Sequence, residues 1–233
     1  MEKITIILYS SFYPFILLTF VKRVASILIK MKRIVLVFII NLMFNLNGRG
    51  QNLKLSNLLD SLVKEDQKWR AVTRKIWNGE IDTIGIKTAN RNARITDSLN
   101  FIVVRKIFKQ YGYPNIETVG SVGSHNFWLL IQHMDNHPDF QDSVLTKMKI
   151  EVDKGNSSSL DYAYLVDRVN VNTKRFQVYG TQMELNKDST SYEPKPLIDK
   201  DNVNERRKSV GLSTIEEYTK VMNERYFGTL KKK

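Results

Sequence analysis

The sequence predicts a mainly α protein: one α-rich domain with one small β-hairpin, preceded by an N-terminal signal or membrane segment. Three observations carry this. Apolar residues recur at helical spacing through most of the chain after residue 52. Strand-like alternation occurs only over Val169–Leu185. Two apolar stretches stand before residue 51.

The N-terminus reads as targeting rather than fold. Ile4–Val21 holds no charge, is interrupted by Pro14 and is followed by Lys22-Arg23. Ile34–Leu46 is broken only by Asn41 and Asn45. It is short for a bilayer span, which takes about 20 residues, but suits the apolar region of a secretory signal. Met31-Lys32-Arg33 supplies a start and a positive n-region before it. Gly48-Arg49-Gly50 places small residues at the −3 and −1 positions of a cut before Gln51. The simplest inference is that translation starts at Met31. Residues 1–50 are then an over-extended N-terminus plus signal peptide, and residues 51–233 are one α-rich domain. The rival reading is a membrane protein anchored by Ile4–Val21 and Ile34–Leu46. Export puts the product in the periplasm or outside the cell, with membrane contact only through the N-terminal segment if uncleaved.

Leu53–Trp77 has helical spacing at Leu55, Leu58, Leu59, Leu62 and Val63, then Trp69, Val72, Ile76 and Trp77, and stops at Asn78-Gly79. Ile95–Tyr111 repeats the pattern and ends at Gly112-Tyr113-Pro114. Ser124 is expected to cap a short helix running through Phe127, Leu130, Ile131 and Met134. Pro138 suits the first position of the next helix, whose stripe is Phe140, Val144, Leu145, Met148 and Val152. Leu160–Val166 forms a further short helix. Val169 and Val171, then Phe176 and Val178, alternate with polar residues and predict the hairpin. Asp188–Asp199 reads as a loop. Asn202 with Glu205, and Ser213 with Glu216, are capping-box patterns for two last short helices separated by Gly211.

Composition narrows the chemistry. The 233 residues include 36 Lys and Arg, 24 Asp and Glu, three His and no Cys. That excludes disulfides, thiolate metal sites and a cysteine nucleophile. Half of the +12 formal charge lies in residues 1–50, so the body is mildly basic. Its Lys and Arg are interspersed with acids, as in Lys64-Glu65-Asp66-Gln67-Lys68, and no nucleic-acid partner is expected. No P-loop, GxGxxG, G-x-S-x-G or H-E-x-x-H motif is present, so no cofactor is expected. His133 and His137 stand four apart, but Pro138 pushes His137 away from helical dihedrals, and no metal site is expected. Gly120-Ser121-Val122-Gly123-Ser124 resembles an anion-binding loop yet lacks the P-loop lysine; an ordinary helix entry is the plainer reading. Asp167-Arg168 is placed at a helix end, where the arginine suits the dipole. Gln177, Tyr179 and Thr181 fall on one strand face, with Gly180 as a bulge that brings Gln182 alongside.

These pieces together resemble a bacterial family known only as a domain of unknown function. The resemblance rests on Asp66-Gln67 with Arg70, Gly112-Tyr113-Pro114, Gln132-His133-Met134-Asp135, Gln141, Leu165-Val166-Asp167-Arg168-Val169, Gln177-Val178-Tyr179-Gly180-Thr181-Gln182 and Arg207-Lys208-Ser209-Val210-Gly211-Leu212. Tyr113 departs from the family's usual tryptophan. The resemblance implies one α-rich domain, often exported. It also implies that the Gln-His, Asp-Arg and Gln-Tyr-Gly-Thr-Gln elements form one site.

On this reading His133 is a general acid or base, Asp167 or Asp135 orients it, and Arg168 holds an anionic or carbonyl group. Gln132, Gln141, Gln177, Tyr179, Thr181 and Gln182 complete a polar site for an unknown small molecule or peptide. The expectation is an exported domain with a polar ligand site of unestablished activity; read as an enzyme, it is a hydrolase or transferase. The alternatives are a non-catalytic binding module and a purely structural network. For export, the expected mature N-terminus is Gln51, which peptide mapping of the native protein checks. Abundant peptides from residues 2–30 would contradict it.

Overall fold

The computed structural model describes residues 52–80 and 85–228. The two N-terminal apolar stretches, the Met31 start and the cut before Gln51 lie outside the described residues. Seven helices are described: α1 Leu53–Trp77, α2 Ile86–Tyr111, α3 Ile116–Gln132, α4 Pro138–Asp153, α5 Ser159–Asn172, α6 Val203–Ser209 and α7 Ile215–Phe227. Between α5 and α6, β1 Met183–Leu185 and β2 Tyr192–Pro194 pair antiparallel, with Glu184 opposite Glu193. Among the described residues no helix is long and apolar enough to cross a membrane.

The expected helical period holds in α1, where Asn52 caps the backbone N–H of Leu55 at 3.0 Å. Its buried stripe is Leu55, Leu58, Leu59 and Leu62, and it packs mainly on α2 and α3. The second helix begins nine residues earlier than expected, at Ile86. Its first turns are polar and bury only Ala89, so no apolar stripe marks them.

The third helix departs from expectation at its entry. Asn115, not Ser124, is the cap, accepting from the Thr118 N–H at 2.9 Å. Ser124 lies buried inside α3, so the Gly120–Ser124 run is no anion-binding loop. The misreading has a cause: Gly120 has φ 76°, a kink that looks in sequence like a helix start. The Pro138 start and the Val144–Met148 stripe of α4 stand as expected.

The largest correction concerns the hairpin. The fifth helix continues to Asn172, so Val169 and Val171 are helical, and Asp167-Arg168 sits inside a helix rather than at its end. Of Val169–Leu185 only Met183–Leu185 is strand, and its partner lies in the segment read as a loop. Two alternating valines fit a helix as readily as a strand.

Residues 177–182 are instead shaped by a buried carboxylate. Asp167 accepts the backbone N–H groups of Val178 at 2.7 Å, Tyr179 at 3.0 Å and Thr181 at 2.8 Å. The buried Gln177 amide accepts the N–H of Gln182 at 2.7 Å and donates to the carbonyls of Gln182 and Lys195. Gly180 has φ +70°, and a Cβ there would fall 2.6 Å from Ile215 Cδ1. On the other side, Arg206 donates to the Val178 carbonyl and the fully buried Arg207 to those of Tyr179 and Ser213. The capping box of the last helix is Thr214 with Glu217, one residue later than Ser213 with Glu216. Asn202 stands at the N-cap of α6, but its side chain donates to Asp199 instead of capping.

Asp167→Ala strands three backbone donors in a buried place, each worth about 1–3 kcal/mol when unpaired. Chemical denaturation should show a loss of about 3 kcal/mol or more, with Asp167→Asn less affected because one acceptor oxygen remains. A change within about 0.5 kcal/mol for Asp167→Ala would show that the carboxylate does not hold this segment.

Candidate functional site

Four positions after Leu62, the apolar stripe of α1 carries a carboxylate. Asp66 is 1% exposed. An ionised group at that depth must be paired and hydrogen-bonded. Four donors meet that need from two sides. Gln67 Nε2 approaches at 2.8 Å, and Arg70, one turn along, places Nε and Nη2 at 3.3 and 3.2 Å. His133, the C-cap of α3, brings Nδ1 to 3.0 Å from one carboxylate oxygen and 2.9 Å from the other. Arg70 Nη2 also reaches Asp97 of α2 at 2.5 Å. Residues from three helices therefore close one polar cluster.

Beside it lies a cleft of about 170 Å³ lined by Arg94, Asp97, Ser98, His133, Asn136 and His137, with Met134. His133 Nε2 has no hydrogen-bond partner among the described residues, and the side chain is 16% exposed. His137, the N-cap of α4, stacks flat on Phe101 with ring centroids 3.6 Å apart.

The two carboxyls are tuned apart. Burial works to raise Asp66, but hydrogen bonding and charge from His133 and Arg70 outweigh it and hold the group below its usual range. Burial pushes Asp97 above its usual range, aided by the charge of Asp66 and only partly offset by Arg70. Asp66 is thus kept as the anion, while Asp97 holds a proton more readily than an ordinary aspartate. Such divergence marks acid–base assignments.

Asp66, Asp97 and His133 are also a metal-type ligand set, with donor atoms within 4.8 Å of one another. The Arg70 guanidinium, bonded to both carboxylates, already occupies the cationic position between them.

The residues singled out in the sequence fall into three groups. His133 belongs to the cleft, and its partner is Asp66 rather than Asp167 or Asp135. Arg168 forms a two-pronged pair with Asp135 at 2.8 and 2.6 Å, joined by Asn172. Burial would raise Asp135, but these bonds, Arg168's charge and Gln141 hold it low. Gln141 is fully buried and donates to the Ile131 carbonyl, while Gln132 ends α3 half-buried. Asp167, Gln177, Tyr179, Thr181 and Gln182 build the 177–182 turn through backbone groups. Thr181 is buried and accepts from the Gln182 amide at 3.1 Å, and burial raises the half-exposed Tyr179 phenol. None of these five lines the His133 cleft.

Asp97 and Arg94 were not singled out in the sequence, and neither breaks the pattern of the polar start of α2. Asp66 had a readable signal: a carboxylate at the next position of a buried leucine stripe. Elsewhere, His125 Nδ1 lies 2.9 Å from Asp161, but half-exposed on the surface. An open groove of about 810 Å³ runs between the hairpin, Pro196–Asp201 and the starts of α6 and α7.

A model of a family of unknown function, DUF6624, matches residues 55–233. No curated protein and no solved structure matches the chain.

Proposed function

The chain belongs to the DUF6624 family, and we propose that it is an acid–base enzyme, a hydrolase or transferase acting on a small polar group held at His133. One observation carries this reading: a buried carboxylate accepts from His133 Nδ1, while Nε2 is left without a protein partner beside a cleft. An imidazole so held has a fixed tautomer, with the proton on Nδ1 and the lone pair on Nε2. That lone pair takes a proton from a water or a hydroxyl nucleophile. Asp66 stabilises the imidazolium that results. Asp97, whose burial favours its protonated form, supplies a proton to the leaving group across the same cleft. The three roles demand different electrostatic environments, and the surroundings of Asp66 and Asp97 differ in the required sense.

The cleft is smaller than the roughly 300–1,000 Å³ of whole-ligand pockets, so it suits the reacting group of a substrate rather than the entire molecule. Asp66 takes the orienting role expected of Asp167 or Asp135. Export remains part of the proposal, supported by the n-region, apolar core and small-x-small pattern before Gln51.

A panel of chromogenic carboxylic and phosphoric esters tests the reading. The wild type should turn over at least one member. His133→Gln, whose amide can still donate to Asp66, should lower its kcat by about 100-fold or more, the scale of general acid–base catalysis, while the chain still folds. Turnover unchanged in both His133→Gln and Asp97→Asn would refute it.

A further inference from the structure

We infer that the cleft beside His133 receives the oxyanionic part of its ligand, with the Arg94 guanidinium as the anchoring charge. This rests on reading the cleft as the reaction site and names its substrate class.

The first support is the helix that forms one wall. Apart from Asp97, α2 carries no acid, yet it holds Lys87, Arg91, Arg94, Arg105, Lys106 and Lys109, all exposed. None of these six makes an ion pair among the described residues. Most basic side chains that do pair, such as Lys149, Lys154 and Arg175, lie on other helices or their flanks. Arg91, Arg94, Ser98 and Arg105 recur at i, i+3, i+7 and i+14 and so share a face. From Arg91 to Lys109 that face runs about 27 Å along the helix. A row of unpaired cations draws anions toward whatever opening it borders, and Arg94 and Ser98 of this row line the cleft itself.

The second support is the balance of charge inside. The acids at hand, Asp66 and Asp97, are both already bonded to Arg70. Asp135 is taken by Arg168, and of the residues that line the cleft only Asp97 is acidic. Arg94 therefore faces the cleft without a carboxylate of its own. The Asn136 amide, unbonded among the described residues, adds neutral donors. Volume permits this, since about 170 Å³ has room for a phosphate- or carboxylate-sized group. A divalent cation fits less well, because it must displace a guanidinium held by two carboxylates. An oxyanion leaves that arrangement intact and meets a charge that has no ion-pair partner among the described residues.

Inorganic phosphate, acetate and Mn²⁺ serve as probes on the purified chain, followed by the imidazole NMR signals of His133 and His137. Saturable shifts of both signals with phosphate or acetate, at millimolar dissociation constants, are expected. Stronger binding of one anion separates a phosphoryl from a carboxyl ligand. Arg94→Ala should weaken that binding by about tenfold or more. Arg105→Ala, about 16 Å further along the same helix, should leave it within about twofold. Equal losses in the two variants would mean an adventitious ion only, and would overturn the inference. So would saturable broadening of His133 by Mn²⁺ with no response to either anion. Arg94-dependent binding with unimpaired turnover in His133→Gln would uphold the oxyanion site while refuting the acid–base role.

Discussion

A carboxylate buried in a leucine stripe is the constraint on which the site depends. Asp66 has almost no contact with solvent, so its charge is tolerable only if protein donors replace water. Gln67 and Arg70 supply three from the same helix. The fourth comes from His133 at the end of α3. Because Arg70 also reaches Asp97, the requirement fixes the relation of α1, α2 and α3 at one point. The burial that makes Asp66 demanding also gives His133 a defined orientation. Packing and chemistry are therefore the same interaction viewed from two residues.

A second buried carboxylate does comparable work without chemistry. Asp167 gathers three backbone N–H groups and turns residues 177–182 back over α5. Gln177 closes that turn with its amide, and Arg206 and Arg207 take up the carbonyls that remain. Polar residues that read as the ligand-binding face of a strand instead frame a turn through backbone hydrogen bonds. Their hydrogen-bonding capacity is spent on the backbone, and none of them lines the cleft beside His133.

The sequence revealed the elements whose burial is one-sided and long. The leucines of α1 and the Val144–Met148 stripe of α4 have one physical interpretation each. The first turns of α2 bury a single alanine and left no mark. Gly120 mimicked a helix start because a positive-φ kink and a helix entry use the same residue. Val169 and Val171 form too short a run to separate periods of 2 and 3.6. For the site, His133, Asp66 and Arg70 were visible as polar residues in recognisable motifs, and the resemblance to a family of unknown function is met by the match over residues 55–233. Their pairing was not visible, because Asp66 and His133 lie 67 positions apart and a hydrogen bond at that separation leaves no local pattern. Asp97 and Arg94 become meaningful only once α2 lies beside α1.

The account stands or falls on which nitrogen of His133 carries the proton. Two-bond ¹H–¹⁵N NMR correlations of the imidazole read this directly. Asp66 as the acceptor requires the proton on Nδ1, with Nε2 bare and available to take a proton. A ring protonated on Nε2 would contradict the arrangement, and with it the assignment of His133 as a base oriented by Asp66.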